Sequence, residues 1–133
     1  MAKAKSKKVS SKKNKKVVIG NICKAYINST YNNTFITITN FEGDSICWST
    51  PGAVGFTGTR AATPYAATIA AESAAKKAIE KGLQTVDIVV KGAGSTKISA
   101  IKGIRSAGLK VLSIRDVTPI PYNGCRPRKK RRN

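Results

Sequence analysis

Two runs of cations bracket this chain and limit what can fold between them. Residues 1–16 hold eight lysines and no acid, and residues 126–132 hold six cations in seven positions. Neither run can contribute to a core, because a buried charge needs a partner. Folding is therefore confined to the middle. There Val17 to Cys125 carries eleven cations against six acids, a net of +5 out of the chain's +19. A stretch of roughly a hundred residues can bury a core of its own.

Within that stretch the hydrophobic period changes twice. Val17 to Asn28, VVIGNICKAYIN, alternates roughly apolar and polar and predicts a strand. Ser29 to Asn33 is turn chemistry, and Thr34 to Thr39 is a second, β-branched and aromatic strand. Gly43 supplies the positive φ of a hairpin loop before a third strand, Ser45 to Thr50. These three form an antiparallel meander. After a Gly-rich loop, Thr63-Pro64 reads as an N-cap and first helical residue, and Gly82 as the stop. Ala67, Ala71, Ala74 and Ala78 share one face of that helix, small enough to lie close to a sheet. Val86 to Lys91 is a fourth strand, apolar enough to be covered on both faces. Residues 96–107 are helical up to Gly108, and Val111 to Val117 is a fifth strand. The final strand–helix–strand unit is parallel with a right-handed crossover.

The expected fold is thus a three-layer α/β domain with a mixed five-stranded sheet, an antiparallel meander plus a parallel βαβ unit. Its topology resembles the ribonuclease H type. Residues 17–117 make the domain, 1–16 a disordered Lys-rich leader, and 118–133 an extended basic arm.

Charge density of the kind found in the two runs is neutralised best by a polyanion, because each phosphate contact releases condensed counterions. Nucleic acid is the leading partner, ahead of a role in solubility alone. Neither run has an amphipathic apolar stripe, and no segment is long enough to span a bilayer, so a membrane is not expected. The first sixteen residues lack the apolar core of a secretory signal. Three cysteines, Cys23, Cys47 and Cys125, are far apart and form no CxxC pair. They indicate reduced thiols in a cytoplasm-like compartment, with no disulfide frame and no zinc site. All three are expected to be packed.

Much chemistry is excluded. The chain has no histidine, which removes the commonest general base and metal ligand. A two-metal nuclease on this topology needs clustered carboxylates. The first strand has none, and Glu42 and Asp44 belong to a hairpin loop. No catalytic residue, cofactor or metal is expected.

Two glycine-rich turns remain. Lys91 to Lys97, KGAGSTK, leaves a strand and opens a helix, which aims backbone N–H groups at an anion. Gly92 and Gly94 fit a dinucleotide fingerprint, with Asp116 near the ribose-binding position, but Lys97 stands where the third glycine belongs. A nucleotide-binding enzyme is therefore the alternative reading. The same turn suits an RNA phosphate flanked by Lys91 and Lys97. Gly55 to Arg60, GFTGTR, offers close backbone approach at Gly55 and Gly58, a ring in Phe56 that stacks or packs inward, and the cation Arg60. Asn32 and Asn33 either hydrogen-bond nucleotides or make the turn.

The ending, DVTPIPYNGCRPRKKRRN, is a binding device. Thr118 and Ile120 precede prolines and are held extended, while Pro119 and Pro121 fix their own φ. A stiff arm places Arg126, Arg128, Lys129, Lys130, Arg131 and Arg132 at a defined spot, after a turn at Asn123-Gly124.

These residues resemble the bacterial-type small-subunit ribosomal protein number eleven family, the universal uS-eleven family. The ending is similar to that family's C-terminal signature. Asn32-Asn33-Thr34, the Gly55 to Arg60 stretch, Thr63 to Ala67 and Val90 to Gly94 match its other motifs in order. The likeness runs from about Ile19 to Arg132. It implies a non-enzymatic ribosome component that binds small-subunit rRNA on the platform, near the mRNA exit path. It also implies small-subunit proteins six, seven, eighteen and twenty-one as neighbours, and a cytoplasmic or organellar ribosome as location, without self-association. Expected rRNA contacts are the two turns, Asn32, Asn33, Asn123 and the arm's cations, joined by Arg105 and by Lys12, Lys13, Lys15 and Lys16 of the leader. Where the family has two prolines and Arg-Glu after strand four, this chain has Gly92 to Ile98, and Lys97 replaces a forked guanidinium by a point charge.

Overall fold

The structure is a computed structural model and describes residues 22–132. The meander consists of β1 (Ile22–Ser29), β2 (Thr34–Thr39) and β3 (Ser45–Ser49). Then come α1 (Pro64–Glu80), β4 (Thr85–Lys91), α2 (Lys97–Ser106) and β5 (Lys110–Asp116). The strands form one mixed sheet in the order β3-β2-β1-β4-β5. Strand β2 is antiparallel to both its neighbours, whereas β1, β4 and β5 are mutually parallel. This is the expected α/β fold. The part of the first expected strand that covers Val17 to Asn21 lies outside the described residues, as does the whole leader.

Period-two alternation aims one side chain in two at the helices. In register, Cys23, Ala25 and Ile27 of β1 face Val86, Ile88 and Val90 of β4, and Ile38 and Ile36 of β2 continue two of these rows. All eight are buried. Helix α1 starts as its sequence dictates: the Thr63 hydroxyl accepts from the Ala66 N–H at 3.3 Å, and Pro64 follows at the position whose missing N–H is not needed. It ends at Gly82, whose φ of +90° lets the Leu83 N–H turn back to the Ala78 carbonyl at 3.1 Å. Seven alanines of α1 are buried, including the expected Ala67, Ala71, Ala74 and Ala78. Alanine removes little apolar area from water, so this helix holds by closeness and dispersion contacts. Gly103 of α2 completes the fit. A Cβ there would lie 2.6 Å from the Thr68 carbonyl oxygen and 2.9 Å from the Ala71 Cβ.

The expected third layer is absent among the described residues. The connections β3–α1–β4 and β4–α2–β5 cross the sheet in the same direction. With one handedness they must place both helices on one side. The other face is uncovered among the described residues, so β4 is buried on one side only, and Tyr26, Phe35 and Trp48 are exposed there. Cys23 and Cys47 are buried as expected, but Cys125 is exposed. It sits on the arm beyond Thr118, where every residue is exposed and no element lies beside it to pack against.

Candidate nucleic-acid interface

Strands β1 and β3 both oppose β2, and β4 and β5 run with β1, so four strands end at one edge of the sheet. Each of the segments singled out within the described sequence leaves from that edge, apart from Arg105. The Asn32-Asn33 turn follows β1, Gly55 to Arg60 follows β3, Lys91 to Lys97 follows β4 and the arm follows β5. Both helices also begin there, at Pro64 and Lys97, so both positive dipole ends face the same way. Arg105 lies in the last turn of α2 and points out at the opposite end. The leader lysines Lys12, Lys13, Lys15 and Lys16 lie outside the described residues.

The turn after β4 is shaped by packing. Gly92 has a φ of +111°, and a Cβ there would stand 2.1 Å from the Ser29 carbonyl oxygen. At Gly94 a Cβ would meet the Ser29 hydroxyl at 2.1 Å and the Thr30 carbonyl at 2.5 Å. Instead the Gly94 N–H donates to the Ser29 carbonyl at 3.0 Å. Beneath it the Thr96 hydroxyl lies 2.7 Å from both the Ser29 and Thr34 hydroxyls in a buried cluster. Two glycines and three hydroxyls thus seal this turn onto the end of β1. The turn's glycines serve that closeness, which weakens the dinucleotide reading.

Lys97 and Asp116 are also engaged. The Lys97 ammonium donates to the Asp116 carboxylate at 3.0 Å and reaches the Thr118 hydroxyl at 3.4 Å. The Thr118 N–H donates to Asp116 at 2.9 Å, and the Thr118 hydroxyl donates to the same carboxylate. These bonds from Thr118, then that from Lys97, hold the Asp116 carboxyl down to about 2. The Gly92 N–H donates to the Thr118 hydroxyl at 3.2 Å, and the Val117 N–H to the Val90 carbonyl at 2.9 Å. The root of the arm is therefore tied to α2, β4 and the Gly92 turn. Beyond it the arm is exposed throughout, with Asn123 at a φ of +72° and Gly124 at +30° bending it before the cations.

Elsewhere on the edge, Asn33 makes the turn: its side-chain oxygen accepts from the Thr34 N–H at 2.8 Å, and its carbonyl accepts from the Thr30 N–H at 2.9 Å. Asn32 is exposed. Phe56 is half-buried and meets the exposed Tyr65 edge to face, with centroids 5.9 Å apart. Arg60, Lys91 and the arm's cations point to solvent.

Sequence reasoning missed Tyr65 and Thr118. The first was legible as the residue after a helix-starting proline, where a side chain points away from the core. The second was legible from the Asp116–Thr118 spacing of an Asx-type turn. Among the described residues no cluster of His, Cys, Asp and Glu could hold a metal ion. Glu42 and Asp44 sit in the β2–β3 turn, at the other end of the sheet, where Asn40 accepts from the Gly43 and Asp44 N–H groups at 2.8 Å. No helix among the described residues is long and apolar enough to cross a membrane.

A family model described as ribosomal protein S11 matches residues 23–132, from β1 to the last cations of the arm. This chain belongs to the ribosomal protein S11 family. It is accordingly a structural protein of the small ribosomal subunit, part of a ribonucleoprotein that acts in translation. The matched span includes every element of the edge described above, arm and both Gly-containing turns together.

Proposed function

We propose that this chain binds small-subunit rRNA through the carboxyl edge of its sheet and the arm. Its site would be the subunit platform near the mRNA exit path, beside small-subunit proteins six, seven, eighteen and twenty-one. The observation that carries this reading is the convergence of four segments and two helix N-termini on one edge, continued by an exposed arm with six cations. Arg60, Lys91, Arg126, Arg128, Lys129, Lys130, Arg131 and Arg132 supply phosphate contacts. Gly55 and Gly58 allow close backbone approach, Asn32 offers its amide to hydrogen-bond nucleotides, and Phe56 with Tyr65 offers rings. Lys97, Asp116 and Thr118 aim the arm, and Asn123 with Gly124 turns it. The lysines of residues 1–16 add charge. The tails settle into the RNA on binding, and RNA shape supplies specificity.

Sedimentation of a native extract through a sucrose gradient at moderate salt tests this. The chain should co-migrate with small subunits and whole ribosomes and be missing from free large subunits. A chain that stays at the top of the gradient refutes the reading, and nucleotide binding at Gly92 to Lys97 becomes the next test.

A further inference from the structure

Strand β5 is one of the two edge strands of the sheet, and no strand pairs with its free side among the described residues. Its backbone N–H and C=O groups on that side are open to another chain. The side chains beside this edge are unusually apolar. Ile114 is 56% exposed and Leu112 50%. Between α2 and β5 runs a groove of about 500 Å³, walled by Ile101, Leu109, Val111, Leu112 and Ile114. Helix α2 leans onto α1 and leaves this strip of β5 uncovered. The charged side chains that line the groove, Arg105 and Lys110, are both cations. The nearest carboxylate along the strand, Asp116, is already held by Lys97 at 3.0 Å.

An open strand edge beside a helix-walled apolar groove accepts an extended peptide as an added strand. Main-chain pairing gives the affinity, and pockets for alternate side chains give the choice of sequence. The walls are aliphatic, with no ring on which a base could stack, so the groove suits protein better than RNA. A second copy of the chain would bring Arg105 and Lys110 against a partner of net charge +19, which repels.

We infer that β5 and α2 dock an extended, acidic segment of a neighbouring protein, apolar at alternate positions, as a sixth strand of the sheet. This rests on the chain's place in the small subunit, and it gives Arg105 a protein-facing role apart from the RNA edge.

The test uses small subunits assembled with full-length chain carrying Cys125→Ser and Leu112→Cys, the new thiol bearing a photoreactive benzophenone. Cross-links are mapped by mass spectrometry. Amide hydrogen exchange at β5 is compared between free chain and subunit. The synthetic peptide Val-Glu-Val-Glu-Val-Glu-Val serves as competitor on free chain. The inference expects cross-links to one acidic, extended protein segment and slower exchange at β5 in the subunit. It also expects peptide binding to free chain that weakens about tenfold in the double variant Leu112→Ser, Ile114→Ser, which removes apolar groove wall without changing charge. Cross-links to rRNA or to a second copy overturn it, as does unchanged exchange with no peptide binding. A chain missing from the subunit would instead refute the ribosomal reading, so the two failures are distinct.

Discussion

Replacing Gly103 by Ala should destabilise the protein, against the usual effect of that change. Gly103 is an interior residue of α2. In an open helix Gly→Ala gains about 1 kcal/mol, because glycine loses more backbone freedom on folding. Here the new methyl would stand 2.6 Å from the Thr68 carbonyl oxygen and 2.9 Å from the Ala71 Cβ. Neither neighbour can swing aside, since one is backbone and the other has no rotamer. The helices would have to part by roughly an ångström along a seam of alanines, losing dispersion contacts on both sides. Overpacking of this kind costs about 1–3 kcal/mol, and a clash against backbone belongs at the upper end. The net expectation is a loss of about 1–2 kcal/mol after the propensity gain, which lowers the melting temperature by roughly 5–10 °C. Thermal unfolding followed by circular dichroism on the full chain, wild type beside Gly103→Ala, reads it directly. A variant that melts higher would show that α1 and α2 do not meet as described, and the seat of Lys97 under the arm would fall with them.

The Asp116 carboxyl should titrate near 2 by NMR. Because its folded pKa lies below the ordinary 3.8, its bonds stabilise the fold fully above about pH 4 and are lost as the pH falls through 2. Lys97→Met should raise that pKa, and an unmoved titration would remove the ammonium from the clamp. Cys125 should react quickly with a thiol reagent, while Cys23 and Cys47, buried and with their pKa values raised by that burial, should react only on unfolding. Fast modification of all three thiols would contradict the packing of β1 and β3 against the helices. Gly94→Ala should cost about 1–3 kcal/mol of stability in the free chain, since its methyl meets the Ser29 hydroxyl at 2.1 Å. Unchanged stability would return that turn to the role of a ligand cradle.

The order and direction of the elements were legible because they rest on local signals that do not conflict. Thr63-Pro64 and Gly82 bound α1 as their chemistry requires, and Gly108 follows α2 with a φ of +103°. The number of layers was misread. Val86 to Lys91 is apolar on alternate positions and also carries Val89 on the other face, which reads like a strand covered twice. Nothing local says that both crossovers travel the same way across the sheet. Position in the chain likewise did not show that Arg105 lies at the other end of α2 from the four turns, which follows from the direction of that helix. The partners of Lys97 were beyond reach for a related reason. The lysine reads as a phosphate ligand beside two glycines, and only the pairing of β4 with β5 brings Asp116 and Thr118 against it. Cys125 was expected to pack because cysteine is usually buried, but the prolines before it carry it clear of the domain.

On the proposed function, the arm anchors this chain in rRNA through phosphate contacts. The most direct measurement is equilibrium binding of the full chain to small-subunit rRNA over a range of salt, repeated with a chain that stops at Tyr122 and so lacks the six terminal cations. The slope of log K against log[salt] is about 0.7–0.9 per phosphate neutralised. If all six cations meet phosphates, truncation should make that slope shallower by about 4–5, with a loss of affinity that is largest at low salt. An unchanged slope would place the arm outside the RNA and leave the sheet's carboxyl edge to bind alone.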